Sequence, residues 1–460
     1  MPTLFNRYIS YRKIAFFLGE GALIFLSILL VNWLYKGTNI FLIDLPESIM
    51  QGLIVTMVFQ LCLYFFDLYD LGMTITIHET ISRITQAFGF GCIVLAVIYY
   101  LLPFLQIPIV VFWTGYVILC LLIYCWRTAY YYILRRRLFV QDVIVIGTGN
   151  LASDISRIIE GKHDSVYRIA AFVGSAEPEF NPNRAPVVPS LDALADMIEE
   201  RKVQCIIVAP DDRRGTVPIQ ALVRQKLRGM DIEQGIGFYE RVTGKILAEK
   251  INPSWIFFSN GFHLSRWKRV LKRGLDLCLS LLLLLFAWPV ILIAALIVKM
   301  ESAGPAFYLQ ERVGENNRLF RLIKLRSMRQ DAEKDGPVWA REQDDRVTRF
   351  GAFMRKSRID ELPQLWNVLK GEMSMVGPRP ERPVFVGQLA EVIPFYDIRH
   401  ATKPGVTGWA QVNYPYGAST EDALRKLEYD LYYLKNSSLV FDLLIIFRTA
   451  KTVLFRKGGR

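Results

Sequence analysis

Two adjacent carboxylates in a basic segment are the residues of this chain best suited to chemistry. They are Asp360 and Glu361. Basic residues surround them in the sequence, namely Arg355, Lys356, Arg358 and, between two prolines, Arg379. Cations neutralise phosphate oxygens, while one carboxylate can attack phosphorus and the other can bind a divalent metal. The pattern suits phosphoryl transfer, but the residue types alone favour a solvated salt-bridge cluster at a helix start, because charge clusters are common.

The composition favours a membrane protein built from several domains. The chain has 460 residues, 52% of them hydrophobic, a net charge of +12 and a mean hydropathy of +0.26. Basic surfaces suit anionic lipid or phosphate-bearing substrates. The Lys and Arg residues flank apolar segments and form no single basic stripe, which argues against nucleic acid as a partner. The six cysteines show no metal-ligand spacing and are expected to be free thiols.

Four apolar segments in the N-terminal part are long enough to span a bilayer. They lie at 14–35, 48–68, 84–105 and 108–134. Basic residues precede the first and close the fourth, whereas the loops at 36–47 and 103–108 carry little positive charge. The positive-inside rule then places both ends of this four-helix bundle in the cytoplasm.

The next segment reads as a small α/β domain. A buried strand at 140–147 leads through the turn GTGNLA into a helix at 152–160. Strands near 168–174 and 203–209 and a helix near 216–229 continue the alternation. GTGNLA fits a dinucleotide-binding pattern, but Ser175 stands where a ribose-binding acid is needed. We therefore expect a Rossmann-like module that stabilises the chain or forms a homodimer, with a bound nucleotide as the alternative.

A fifth apolar run, 275–299, is long enough to span a membrane but has basic residues on both sides. A full crossing would place one basic cluster on the wrong side. Pro289 also removes a backbone donor from the middle of the run and favours a bend. The sequence thus predicts a re-entrant helix that enters the cytoplasmic leaflet and returns.

Short motifs follow this run in a fixed order. Around it and after it stand KRGLD at 272–276, KLRSM at 324–328, DELPQLWNVLKGEMSMVGPRP at 360–380, KPGVTGWAQVN at 403–413 and KLEYDLYYLKNSSLVFDL at 426–443. Together they resemble the catalytic domain of the monotopic phosphoglycosyl transferases, the bacterial sugar transferases. The N-terminal half is similar to that of the larger members, which carry four membrane helices and a Rossmann-like middle domain.

The resemblance implies a fold class and a domain organisation. The fold is expected to combine a four-span membrane helical bundle, a Rossmann-like α/β domain and a mainly α-helical monotopic catalytic domain with a re-entrant helix. The expected boundaries are 1–137 for the bundle, 138–250 for the middle domain, 251–265 for a linker and 266–460 for the catalytic domain. The protein is expected in the bacterial inner membrane, with the catalytic domain on the cytoplasmic face.

The resemblance also implies a reaction. A hexose-1-phosphate passes from a UDP-sugar, with glucose and galactose as the leading sugars, to undecaprenyl phosphate. Asp360 is the expected nucleophile, forming a covalent phosphosugar intermediate, and UMP is released. Glu361 is assigned to Mg²⁺, with Asp360 as the other metal ligand. The product would start exopolysaccharide or O-antigen assembly.

Further residues are assigned around this pair. The expected phosphate- or nucleotide-binding cations are Lys324, Arg326, Arg355, Arg358 and Arg379. A structural ion-pair role is the alternative for each of them. Asp430 and Asp442 match acidic positions of the family and are expected to support an arginine.

The C-terminal stretch and the overall function both leave alternatives. Residues 441–457 alternate apolar residues with Arg and Lys, which favours a helix lying on anionic lipid over an ordinary core-facing helix. Two other functions also fit the sequence. One is a five-span transferase acting through a direct ternary complex, and the other is a non-catalytic membrane scaffold that senses nucleotide.

The re-entrant helix predicts that the C-terminus stays in the cytoplasm. A membrane-impermeant reagent applied to intact cells should therefore fail to label a tag added after residue 460, and label it after permeabilisation. A tag placed in the loop at 36–47 is the positive control. Efficient labelling of the C-terminal tag in intact cells would show that 275–299 crosses the membrane completely.

Overall fold

Long apolar helices make up the first part of the chain. The computed structural model describes residues 3–4, 7–8, 11–69, 77–135, 140–161, 165–175, 180, 185–190, 198, 203, 205–210, 217–250, 261–262, 265–330, 332, 344–415, 417 and 419–454. Two two-residue strands, β1 (Thr3–Leu4) and β2 (Arg7–Tyr8), precede the helices. The helices are α1 (Tyr11–Lys36), α2 (Thr38–Ile43), α3 (Leu45–Phe65), α4 (Ile77–Leu101) and α5 (Ile109–Arg135).

The four predicted apolar segments each lie largely within one of these long helices, α1, α3, α4 and α5. Within the described residues, five helices are long and apolar enough to cross a membrane, namely these four and the helix at Arg266–Glu301. Gly37, with φ 73°, separates α1 from α2. Glycine reaches this left-handed conformation without steric cost, which explains the break in an otherwise continuous apolar run.

The helical bundle contains one buried ion pair. The Glu20 carboxylate and the Arg127 guanidinium are 2.8 Å apart, and both side chains are almost fully buried. Arg127 also donates to the carbonyl oxygen of Leu68 at 2.8 Å and lies over the ring of Phe16. A buried charge needs such partners, because an uncompensated one would cost several kcal/mol. The pair therefore fixes α1 against α5.

The middle segment forms the expected α/β domain. Its five parallel strands run in the order β5-β4-β3-β6-β7. The elements are β3 (Gln141–Ile146), α6 (Asn150–Glu160), β4 (Tyr167–Val173), β5 (Val187–Val188), β6 (Cys205–Val208), α7 (Ile219–Leu227), β7 (Asp231–Gln234) and α8 (Gly235–Thr243). The predicted strand-turn-helix at 140–160 is confirmed.

The first glycine of GTGNLA has a structural reason to be there. Gly147 has φ 120°, and a Cβ at this position would collide with the carbonyl group of Ala209 at the end of the neighbouring strand. The Thr148 hydroxyl donates to the carbonyl oxygen of Ser175 at 2.7 Å. Close packing between strand ends thus accounts for this glycine without a bound nucleotide.

Two compact units divide the chain, essentially residues 8–238 and 239–460. The predicted middle domain extends to 250, whereas residues 239–250 group with the C-terminal unit. The backbone N–H of Ile246 donates to the carbonyl oxygen of Glu428 at 3.1 Å. The predicted linker at 251–265 falls largely outside the described residues.

The C-terminal unit combines helices with short strands. Its elements are α9 (Arg266–Glu301), β8 (Phe307–Val313), β9 (Leu319–Leu325), α10 (Arg349–Ser357), α11 (Gln364–Lys370), β10 (Ser374–Val376), α12 (Pro383–Val392), β11 (Gly405–Thr407), α13 (Trp409–Asn413), α14 (Thr420–Asn436) and α15 (Leu439–Leu454). Strands β8 and β9 form an antiparallel hairpin, and β10 pairs in parallel with β11.

Helix α9 is one helix on both sides of Pro289. Its apolar side chains are largely uncovered by protein; Leu281 is 65% and Phe286 is 70% exposed. Such a surface suits lipid, since a water-soluble protein rarely leaves a long apolar face uncovered. The re-entrant path of 275–299 stays a prediction.

The start of α9 is fastened to the core of the C-terminal unit by three charged residues within two turns. We call this group the α9 anchor. Its hydrogen bonds join Lys272 Nζ to Val376 O (3.0 Å) and Asp442 Oδ2 (2.7 Å), Arg273 to Val368 O (2.6 Å) and Leu369 O (2.7 Å), and Asp276 Oδ1 to Ser374 Oγ (3.0 Å) and Met375 N (2.9 Å). Arg273 thereby satisfies carbonyl groups at the end of α11, which lack partners within that helix.

Helix α15 packs on the core and also exposes apolar residues. Phe441 and Ile445 are buried, whereas Leu443 and Val453 are each more than 40% exposed. The predicted helix over 441–457 is therefore present as Leu439–Leu454, with one side facing the core. The lipid contact of its other side stays a prediction.

Trp409 lies at the centre of this core and is 1% exposed. Its ring packs against Tyr432 and Phe441, with ring centroids 6.1 and 4.9 Å away. The indole N–H donates to the carbonyl oxygen of Gly244 at 2.9 Å, so the residue also fixes the segment that leads into this unit.

Trp409→Ala should lower the free energy of unfolding by about 3–5 kcal/mol, because it leaves a cavity the size of an indole. Trp409→Phe should cost less, since the aromatic packing is largely kept and one hydrogen bond is lost. The midpoint of thermal unfolding in detergent, followed by circular dichroism, measures both. Trp366→Ala, at a half-exposed position, is the matched control; equal destabilisation at both sites would contradict this account.

Candidate active site

The carboxylate pair lies on one 3₁₀ turn, Ile359–Glu361, between α10 and α11. Helix α10 ends at Arg358, which has left-handed backbone angles (φ 56°, ψ 20°). This conformation costs a non-glycine residue about 1–2 kcal/mol, but it turns the chain sharply and ends the helix. Pro363 then precedes α11, where its fixed φ suits the start of a helix. The turn therefore holds Asp360 and Glu361 in a defined direction.

Three cations surround the Glu361 carboxylate. Its oxygens lie 2.7 Å from Arg379 Nη2, 3.5 Å from Arg358 Nη1 and 3.8 Å from Lys324 Nζ. Burial alone would raise the pKa of Glu361, but the charges of Arg379, Lys324 and Arg358 outweigh it and hold that pKa well below the usual range. Glu361 is therefore ionised at any physiological pH.

Asp360 has the opposite character although it is the next residue. It is 8% exposed. Burial and the neighbouring charge of Glu361 raise the pKa of Asp360 to about 6, against the opposing effect of Lys324, Arg355 and Arg379. Because the two carboxylates interact, protons leave the pair in two coupled steps. The pair thus combines one permanent anion with one carboxylate that titrates near neutral pH.

The flanking cations differ in how they are held. Arg355 donates from Nε to the hydroxyl of Ser327 at 2.9 Å. The Arg326 guanidinium donates to the carbonyl oxygens of Ala303 (2.8 Å) and Ser302 (2.7 Å), just after α9. Within the described residues no ion pair joins Arg326 to either carboxylate. Its geometry is that of a residue that fixes the end of α9.

The two downstream aspartates lie in different places. Asp430 accepts from Arg399 Nη2 at 2.8 Å, and Arg399 donates to the carbonyl oxygen of Arg379, so Asp430 does support an arginine beside the pair. Asp442 instead pairs with Lys272 in the α9 anchor, and its partner is a lysine. Burial raises the pKa of both aspartates despite these cations, and that of Asp430 reaches about 6.

A cavity of about 530 Å³ opens beside the carboxylates. Both carboxylates and all five predicted cations line it. A cavity of this size encloses a small molecule, and its mostly cationic polar wall suits an anionic one. The structure thus brings together at one wall the residues that the sequence singled out between 324 and 379.

Several lining residues were missed by sequence reasoning, among them Arg399 and Lys426. Lys426 opens the motif KLEYD, and its Nζ donates to the carbonyl oxygen of Gly417 at 2.6 Å. Burial lowers the pKa of Lys426, although Glu381 opposes this. The position of Arg399 just before KPGVTGWAQVN was the one sequence signal available for it.

Comparison with known proteins places this site in a family. Residues 267–456 match the model of the family described as bacterial sugar transferase. A UDP-glucose:undecaprenyl-phosphate glucose-1-phosphate transferase of Caulobacter vibrioides is 43% identical over 187 residues, which cover 40% of this chain and 69% of that protein. The chain belongs to the bacterial sugar transferase family.

Two other relatives of this transferase match over longer or more similar stretches. The Aeromonas hydrophila UDP-N-acetylgalactosamine-undecaprenyl-phosphate N-acetylgalactosaminephosphotransferase is 49% identical over 190 residues, 41% of this chain and 45% of that protein. The Komagataeibacter xylinus undecaprenyl-phosphate glucose phosphotransferase is 33% identical over 334 residues, 71% of this chain and 61% of that protein. The matched parts thus span about half to three fifths of these two relatives.

The carboxylate pair offers a donor set that suits a magnesium ion. Mg²⁺ prefers oxygen ligands and is commonly bound through one or two carboxylates plus substrate phosphates. Asp360 and Glu361 offer such oxygens at the cavity wall. In the described part of the chain no three His, Cys, Asp or Glu residues form a metal cluster. Asp360 and Glu361 therefore fit a partial Mg²⁺ site that further oxygen ligands would have to complete.

Proposed function

We propose that the chain transfers a hexose-1-phosphate from a UDP-sugar to undecaprenyl phosphate and releases UMP. The observation that carries this proposal is the placement of the adjacent carboxylates Asp360 and Glu361, among cations, on the lining of one cavity. The names of the three relatives support the class of reaction. The product would be the first lipid-linked sugar of an exopolysaccharide or O-antigen repeat unit.

The proposed first step uses Asp360 as a nucleophile. A carboxylate oxygen of Asp360 bonds to the phosphorus that carries the sugar, the phosphoanhydride bond breaks, and UMP leaves with the bonding electrons. In the second step a phosphate oxygen of undecaprenyl phosphate attacks the same phosphorus, and the Asp360 carboxylate is released. An acyl phosphate replaces one phosphoanhydride and is replaced by another, so the transfer requires no ATP.

The surrounding charges explain why two steps suit this cavity. Each step brings an anionic substrate to an anionic nucleophile or intermediate, and Lys324, Arg355, Arg358 and Arg379 neutralise the phosphate oxygens in turn. Glu361 lies between Arg379, Arg358 and Lys324 and forms an ion pair with each. A bound Mg²⁺ would add positive charge on the diphosphate, with Glu361 and Asp360 as its protein ligands.

Three sugars are proposed for testing first. Glucose and galactose follow from the family resemblance, and the 49% identity to an N-acetylgalactosamine enzyme adds N-acetylgalactosamine. The cavity wall includes Tyr414 and Pro415, which directly follow the motif KPGVTGWAQVN. Tyr414 is fixed by a hydrogen bond from its hydroxyl to Asp422 at 2.9 Å. We propose this wall as the part that contacts the sugar.

The proposal also includes the membrane arrangement. The lipid substrate has its phosphate at the headgroup level, so a cavity beside a helix lying in the cytoplasmic leaflet could meet both substrates without extracting the lipid. The uncovered apolar surface of α9 supports this placement. Dimer formation through the α/β domain is part of the same proposal.

Asp360→Asn should abolish UMP release from a UDP-sugar in the presence of Mg²⁺ and undecaprenyl phosphate, because an amide is a poor nucleophile. The purified wild-type protein incubated with a β-³²P-labelled UDP-sugar alone should retain acid-stable label, and the variant should not. Glu391→Gln, an exposed position on α12, is the matched control and should behave as wild type. A variant that keeps both turnover and label would place the nucleophile elsewhere, and sequential kinetics without a labelled protein would favour a ternary complex.

The two unusual pKa values predict a bell-shaped pH dependence of kcat/KM. Activity should rise as Asp360 loses its proton around pH 6, since only the carboxylate attacks. Burial lowers the pKa of Lys324 to about 8, although Glu361 opposes this, so activity should fall above that pH as its charge is lost. Lys324→Arg keeps its charge and should shift the alkaline fall to higher pH. An unchanged alkaline limb in that variant would exclude Lys324 as its cause.

A further inference from the structure

We propose that Arg399 is a positioning residue, which fixes the backbone of Arg379 and so sets the cationic partner of Glu361. The inference rests on the proposed function, because it concerns how the same cavity is prepared for a diphosphate. Arg399 belongs to the turn Tyr396–Ala401, outside the segment that carries the carboxylates and the five predicted cations.

The loop that carries Arg379 is held from outside at every carbonyl group from 378 to 381. We call this loop, residues 377–382, the arginine loop. The acceptor and donor pairs are Pro378 O from Gly405 N (2.9 Å), Arg379 O from Arg399 Nη2 (3.0 Å), Pro380 O from Arg312 Nη1 (3.0 Å) and Glu381 O from Val313 N (3.0 Å). Pro378 and Pro380 have no N–H, so these acceptor bonds are the main means of fixing the loop. At Arg379 itself the donor is a side chain, Arg399.

Arg399 is in turn fixed from two other directions. Its Nη1 donates to the Tyr396 hydroxyl at 2.6 Å and its Nη2 to Asp430 Oδ2 at 2.8 Å. The residue is 4% exposed, so its charge depends on Asp430 for compensation. A planar guanidinium can meet three acceptors in fixed directions at once, whereas a lysine ammonium on a flexible stem cannot reproduce this fork. Asp430 on helix α14 therefore acts on the arginine loop through Arg399.

The consequence falls on Arg379. Its side chain is only about one-third exposed and contacts Glu361 at 2.7 Å, so a shift of its backbone moves the strongest partner of that carboxylate. Displacements of about 1 Å at a catalytic group can cost on the order of a hundredfold in rate. Arg399 acts on the reaction through Arg379, since within the described residues the ion pairs of Glu361 are with Arg379, Arg358 and Lys324.

A double-mutant cycle tests this dependence. Arg399→Lys and Arg379→Lys should each lower kcat/KM for UMP release, by about tenfold or more, and the double variant should be no worse than Arg379→Lys alone. This non-additivity is the expected result, because Arg399 acts by placing the Arg379 guanidinium against Glu361, and Arg379→Lys removes that guanidinium. Losses that multiply in the double variant would overturn the proposal, since they would mean that Arg399 acts independently.

Two further variants separate positioning from stability. Glu240→Gln removes another largely buried ion pair of α14, in which Lys435 and Glu240 are 2.7 Å apart. Any fold-loss in kcat/KM that it causes should multiply with the loss caused by Arg379→Lys. Tyr396→Phe removes only one hydrogen bond of Arg399 and is the milder variant to use if Arg399→Lys does not fold. It should lower kcat/KM by a smaller factor. This loss should again disappear in the Arg379→Lys background. A Tyr396→Phe loss that persists there would contradict the proposal.

The failure of this inference differs from failure of the proposed function. If the wild-type protein releases no UMP from any UDP-sugar tested, the proposed function fails. If the wild-type protein is active and the cycle with Arg399 is multiplicative, only the positioning role of Arg399 fails.

Discussion

The compensation of one buried negative charge, that of Glu361, governs the arrangement of the C-terminal unit. Its three cationic partners come from separate elements: Lys324 from β9, Arg358 from the end of α10 and Arg379 from the arginine loop. Like charges brought this close repel one another, so the fold must hold these elements in place or supply an anion between them. Glu361 is that anion, and the diphosphate of the proposed substrate would meet the same cations at the cavity.

Hydrogen bonds from other elements hold the cations of this site in place. The arginine loop has few backbone N–H donors, because Pro378 and Pro380 have none. Its carbonyl groups accept hydrogen bonds from β11, from the β8–β9 hairpin and from Arg399. Asp430 then compensates the charge of Arg399 from α14. Since buried polar groups are expensive when unpaired, loss of one member of this series leaves another unsatisfied. The site therefore depends on hydrogen bonds that come from several separate elements of the C-terminal unit.

Sequence reasoning located the centre of the site but little of its support. The adjacency of Asp360 and Glu361 among cations is a local pattern, but residue types alone favour a salt-bridge cluster, and the ordered motifs of the family were needed to indicate its chemistry. The strand, glycine turn and helix at 140–160 were also predictable, because hydrophobic runs and turn residues act locally. Arg399 was not, since its acceptor lies twenty positions earlier in the sequence and only the folded chain brings them together.

For two other residues, the sequence suggested one partner and the structure shows another. Arg326 sits in the motif KLRSM beside Lys324, and its sequence context suggests a phosphate contact, yet its guanidinium donates to backbone carbonyls after α9. Asp442 was expected to support an arginine, but its cationic partner is Lys272 of the α9 anchor. Which acceptor a long cationic side chain reaches depends on tertiary packing, and no spacing rule supplies that.

The α9 anchor bears on how such a protein could meet a lipid. Lys272, Arg273 and Asp276 bind the start of α9 to α11, β10 and α15, so this apolar helix is joined directly to the elements around the cavity. The depth at which the apolar part of α9 lies in the membrane would then set the distance between the cavity and the bilayer surface. That distance, and with it the access to a lipid phosphate, would depend on the length of helix between the α9 anchor and the hydrocarbon core.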